Sequence, residues 1–305
     1  MKKKSFFQAS FEESLNLQDD PISGEFCRKN LSSAQVNEKY RGTLKSYVWV
    51  TICSILFLIG PNWLFVVLAD YSFRHSAQSS PVLPPVYNFL PSWVFILFLS
   101  LWLLIIVLGK FLYQRFILIY RGQFHIFITF FIWLMIEGNL LVLTWFYSTL
   151  KWTGAMLYFL LHILMVYAIV QSRCSSLRTL LYGEKEHKAE GRYHKLFSKL
   201  AGFLVTYGLG IVGLYLVLQF LFPQIFVIRL DVIGVLIMWF FINTGIVLLE
   251  VYLIFPFMLQ GYYKWKYPEE YREWEGQSLA EWYGKAYLKK HPELLGLEEK
   301  DKHVF

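Results

Sequence analysis

The chain has 305 residues, of which 56% are hydrophobic and 17% charged, and its formal net charge is +7. A soluble domain of this length carries more charge and fewer aromatics than the 28 Phe, 20 Tyr and 11 Trp found here. The apolar residues come in long blocks, which excludes an ordinary soluble domain and points to an all-α, polytopic integral membrane protein.

The first residues, MKKKSFFQAS, are basic, but no apolar core follows, so a cleavable signal peptide is not expected. Residues 1–31 read as a polar cytoplasmic arm, irregular and loosely docked. Residues 32–46 read as an interfacial amphipathic helix. Ser32 and Gln35 have capping-box spacing, Val36, Tyr40 and Leu44 recur at helical intervals, and Lys39, Arg41 and Lys45 lie between them.

The region 47–258 then holds six apolar blocks, at about 47–69, 92–112, 124–147, 152–172, 199–222 and 232–258, each near the roughly 20 residues that cross a bilayer. Pro61 is expected to bend the first and Pro256 the last. The fifth contains Gly208, Gly210 and Gly213, whose spacing is not GxxxG and fits helix packing. With the N-terminus inside, 26 Lys and Arg fall on the cytoplasmic side, and only Arg74, Lys151 and Arg229 fall outside. Both termini are therefore expected in the cytoplasm of a plasma membrane, in a chain whose basic start resembles that of many bacterial membrane proteins. The positive charge flanks the spans, and no nucleic acid is expected as a partner. Cys27, Cys53 and Cys174 are far apart and are expected to stay unpaired.

Among the polar residues that interrupt the blocks, Glu137, His162, Asn243 and Glu250 are the candidates for a site. Glu137 lies roughly 20 Å along the third span and His162 roughly 15 Å along the fourth, at 1.5 Å per residue. Asn243 has a similar depth in the sixth, so Glu137, His162 and Asn243 are expected to share one layer, with Asn139 pointing elsewhere. Glu250 falls nearer the cytoplasmic face. A carboxylate at the centre of a bilayer is expensive, so Glu137 reads either as a neutral packing group or as a proton or cation site with His162 as relay.

The stretch EKEHKAEGRYH (184–194) holds His187 and His194 seven residues apart, and a solvated charged loop is the plainer reading than a metal site. In the tail, 259–305, Pro268 fits a first helical position and Gly276 interrupts. Ser278 and Glu281 form a second capping box. Leu279, Trp282, Tyr283, Ala286 and Tyr287 then follow the spacing of one amphipathic helix ending near Pro292. With Trp274, the residues Leu279, Trp282, Tyr283 and Tyr287 are the partner-docking candidates, and the chain's own surface or the membrane interface is the competing occupant of that face.

No P-loop, H-E-x-x-H or G-x-S-x-G occurs, and no catalytic residue, cofactor or metal is expected. The leading expectation is a non-catalytic membrane protein that lies in the lipid bilayer and binds another protein. The partner would be a membrane-active toxin or bacteriocin met by its immunity protein, a secretion component, or an ATPase subunit. A transporter or the membrane half of an ABC-type exporter is the alternative, with YQRFILIYRG (113–122) as the ATPase contact. An intramembrane enzyme using Glu137 and His162 is the weaker third.

Overall fold

The computed structural model describes residues 4–36, 48–49, 52–75, 83–109, 111, 114–183 and 230–294. Among these the secondary structure is entirely helical, and four helices are long and apolar enough to cross a membrane. The fifth apolar block with its three glycines, the 184–194 stretch and most of the 32–46 segment lie outside the described residues.

Three short elements come first: α1 (Phe11–Leu15), a 3-10 turn (Asn16–Asp19) and α2 (Gly24–Val36). Ser10 caps α1 reciprocally. Its hydroxyl accepts from the Glu13 N–H, and the Glu13 carboxylate accepts from the Ser10 N–H. This corrects the loosely docked arm. Ala9 and Leu17 are fully buried, because the few apolar residues of the arm find aromatic partners far along the chain. Phe11 meets Tyr271 edge-on at 5.1 Å, Phe6 meets Phe255 at 5.8 Å, and the Ala9 N–H donates to the Tyr263 hydroxyl at 3.1 Å. Ser32 falls inside α2, so its box does not start a helix.

α3 (Ser54–Arg74) and α4 (Ser92–Gly109) are two of the long apolar helices. The third, Arg115–Tyr182, is 68 residues long by its hydrogen-bond pattern but is not one rod. Lys151 has φ 56° and ψ −175°, outside helical values, and divides it into α5 (118–150) and α6 (152–182). The Tyr158 hydroxyl donates to Asn139 at 3.4 Å, and Tyr147 meets Trp152 at 5.3 Å. Along a straight helix Asn139 and Tyr158 would be about 28 Å apart, so the chain folds back at Lys151. The expected third and fourth spans are thus present as a helical pair with almost no loop. Gly183, at φ 62°, ends α6 in the left-handed conformation that glycine adopts without penalty.

α7 runs from Leu230 to Lys266. At both prolines expected to bend a helix the turn ahead widens to a π turn, over Ser54–Ile59 before Pro61 and over Glu250–Ile254 before Pro256. Proline has no N–H for the carbonyl four residues back, and the widened turn absorbs the mismatch.

The tail forms α8 (Pro268–Trp274), α9 (Leu279–Trp282) and α10 (Lys285–Leu288). The Ser278–Glu281 box caps α9 as expected. The single helix expected beyond it is broken by Gly284, at φ 84°. That break changes the phase of the face, leaving Ala286 exposed while Leu288 is buried.

Arm and tail pack together, with the ends of α6 and α7, into one core around Leu17, Leu177, Leu259, Tyr263, Tyr271 and Trp282. A second core joins α3, α4 and α5 around Val66, Phe95, Trp102, Trp133 and Leu141. Smaller clusters join α5, α6 and α7.

Candidate functional site

Polar side chains inside the apolar bundle form a hydrogen-bonded layer across α5, α6 and α7. Asn139 and Asn243 exchange amide bonds: Asn243 donates to Asn139 at 3.0 Å and receives from it at 3.3 Å. The second Asn243 amide hydrogen points to His162 Nε2 at 2.9 Å, and that of Asn139 points to the Met135 carbonyl at 2.7 Å. Trp239 Nε1 donates to the Asn139 oxygen at 3.2 Å, as does the Tyr158 hydroxyl. His162 Nδ1 faces the Tyr158 carbonyl at 2.8 Å. This bonding assigns the proton to Nδ1 and leaves Nε2 as acceptor, so the imidazole is neutral. Every amide hydrogen of the two asparagines has an acceptor. Bonds of this kind between membrane helices contribute about 0.6 kcal/mol each on average, and their directionality fixes helix rotation.

His162 and Asn243 therefore meet as expected, and Glu137 does not join them. This is a correction: Asn139 occupies the layer, and Glu137 points away. Two residues along a helix turn the side chain through about 200°, so one face of α5 carries Asn139 and the opposite face carries Glu137. Next to Glu137, Gly138 admits Trp239 so closely that a Cβ there would lie 1.9 Å from the indole. Glu137 is fully buried, and among the described residues neither of its carboxyl oxygens has a hydrogen-bond partner. Glu250 lies in the second π turn, and its Oε1 is also buried without a partner.

A second constellation joins the arm to the bundle. Arg173, near the end of α6, and Asp20, just before α2, are paired with side chains 0% and 2% exposed. Arg173 Nη1 donates to Asp20 Oδ1 at 3.2 Å, and Nη2 also donates to the Tyr252 carbonyl at 3.2 Å. That carbonyl is the one Pro256 cannot serve, so the guanidinium supplies the missing donor. Burial pushes the Asp20 carboxyl up, but hydrogen bonds from Arg173 and Ser23 outweigh it and hold the group below the usual carboxylate range. In the sequence Arg173 is one of the many basic residues flanking the apolar blocks and nothing marks Asp20, since the two lie 153 residues apart. Cys27, on α2, is buried and its thiol is pushed up to about 11 by that burial.

The tail candidates fall into two groups. Leu279, Trp282 and Tyr283 are buried in the chain's own core, and Tyr287 is half-buried with its hydroxyl accepting from Gln114 at 3.0 Å. Trp282 stacks on Phe116 at 4.6 Å, and the Tyr283 carbonyl accepts from the Arg115 N–H at 3.2 Å. The stretch expected to face an ATPase is thus covered by the tail at these residues. Trp274 alone of the five is exposed, at 52%. Among the described residues, no group of three or more His, Cys, Asp or Glu side chains is placed to hold a metal.

No family model matches the chain, and comparison with curated proteins and with solved structures finds no significant match to either.

Proposed function

We propose that the chain is a six-span protein of the cytoplasmic membrane, with both ends inside, that acts by binding another protein rather than by catalysis. The observation that carries this reading is the cap that arm and tail build together. Arm and tail bury their aromatics in one shared core, which makes a folded platform of both ends. The cap supports placing the two termini on one side, in agreement with the Lys and Arg distribution.

Its outer surface keeps large aromatics that its own core does not use. Trp265 and Phe7 are about half exposed and are linked through Tyr262, at 6.3 Å and 5.0 Å between rings. Trp is enriched at the centres of protein contacts as it is at the membrane interface, and the crosslinking test below separates the two. The classes of partner that fit are a membrane-active toxin, a secretion component or an ATPase subunit.

The test is photo-crosslinking in living cells, with a photoreactive amino acid at position 265 or 274 of the full chain. A discrete protein adduct, absent when the probe stands on Leu104, exposed on the apolar helix α4, is the expected result. Lipid adducts alone at both cap positions would overturn the reading.

A further inference from the structure

The core between α3, α4 and α5 contains polar atoms that no described residue satisfies. Glu137 lies one turn after Trp133 and one turn before Leu141 on the α5 stripe that packs into this core. On α3 the matching stripe is Asn62, Val66 and Ala69, all buried. The register of the two helices follows from contacts higher up. Trp145 Nε1 donates to Ser72 at 2.9 Å, and Trp239 wedges against both Phe65, at 5.8 Å, and Gly138. Both pairings give the same parallel alignment, which brings Glu137 level with Leu64 and about 3 Å along the axis from Asn62.

Asn62 is 0% exposed, and its amide nitrogen bonds the Leu58 carbonyl while its Oδ1 accepts nothing. The Trp133 indole N–H stands beside the Glu137 carboxyl without closing a hydrogen bond to it or to any other described residue. Among the described residues, the unmet groups of this core are therefore one acceptor on Asn62, the indole donors of Trp133 and Trp102, and the carboxyl of Glu137. Buried polar atoms are rarely left in this state.

We propose that Glu137 is a membrane-embedded proton-binding site, a neutral carboxylic acid whose O–H serves the Asn62 oxygen and whose carbonyl serves the Trp133 N–H, directly or through one ordered water. An ionised carboxylate has no hydrogen to offer Asn62 and leaves that oxygen unmet. A metal cation would face the Trp133 N–H, which repels it. Among the described residues of the elements packed here, nothing charged is at hand to compensate a carboxylate. α4 has no ionisable residue; on α3 Asp70 and Arg74 are paired with each other at 2.9 Å at the far end, and Tyr71 is exposed. From α7 the facing residue is Trp239, and His162 of α6 is engaged on the opposite face of α5. The site is independent of the function proposed above.

Infrared difference spectroscopy on the full chain in lipid nanodiscs at neutral pH tests this. A carboxylic-acid C=O band is expected, moving down in D2O and lost in Glu137→Gln. Asn62→Leu removes the acceptor of the O–H and should shift the band. Glu137→Gln, which keeps one donor and one acceptor, should unfold at the wild-type temperature, whereas Glu137→Ala should unfold lower. Carboxylate bands in place of the acid band, an unmoved band in Asn62→Leu, or a Glu137→Gln variant as unstable as Glu137→Ala would each overturn the assignment.

Discussion

Arg173 holds two distant parts of the chain at once. It neutralises Asp20 of the arm and serves the carbonyl that Pro256 leaves without a donor. Removing one member of a buried pair strands the other, which costs about 3–5 kcal/mol. Arg173→Ala is therefore expected to lower the unfolding temperature and to free the arm, read as faster amide exchange over residues 10–20. A double replacement of both members by apolar residues should recover much of the loss. The pair also predicts a pH dependence. The folded Asp20 carboxyl titrates below its unfolded value of about 3.9, so its stabilisation is present above that pH. It is lost as pH falls through the lower folded value, and Asp20→Asn should flatten that acid limb. At the same scale, Gly138 is a steric requirement. A Cβ at 1.9 Å from the Trp239 ring must push α5 and α7 apart. Gly138→Ala should cost about 1–3 kcal/mol as an overpacked site, measured by thermal unfolding, and Trp239→Leu in the same chain should restore part of it.

At the scale of elements, the α5–α6 pair turns at Lys151 with so little connection that its hydrogen-bond pattern runs on through the bend. Two apolar runs separated by a short polar interval were legible as two helices. That they would press together through Asn139, Tyr158 and Asn243 was not. Helical periodicity is weak in segments apolar on every side, so the sequence offers no phase for choosing between Glu137 and Asn139 as the residue facing α6 and α7. Depth could be counted residue by residue, and depth alone placed Glu137 in the wrong company. The tail shows the converse. Its capping box and proline start were readable because caps are local chemistry. The break at Gly284 was not, because a glycine within an amphipathic pattern is compatible with either outcome until its φ is known.

At the scale of the whole molecule, arm and tail form a joint cap, and neither half of that core closes alone. Tyr263 and Tyr267 of the tail side contact Ala9, through its N–H and carbonyl respectively, while Tyr271 packs on Phe11. Truncation after Lys266 should therefore expose the arm as well as remove the tail, seen as new proteolytic cleavage between residues 5 and 20 with the apolar helices still intact. A truncated chain whose arm stays protected would mean that α6 and α7 suffice to hold it. The sequence by itself determined the long apolar helices, the turns widened ahead of Pro61 and Pro256 and the Ser278 cap, since each is set by residues close together in the chain and by the cost of burying backbone groups. Only the tertiary structure decided that Asn139 meets Asn243 and His162, that Glu137 stands apart with Asn62 and Trp133, and that Asp20 reaches Arg173. Those pairings depend on helix rotation and on contacts between residues up to some 150 positions apart, which no local pattern encodes.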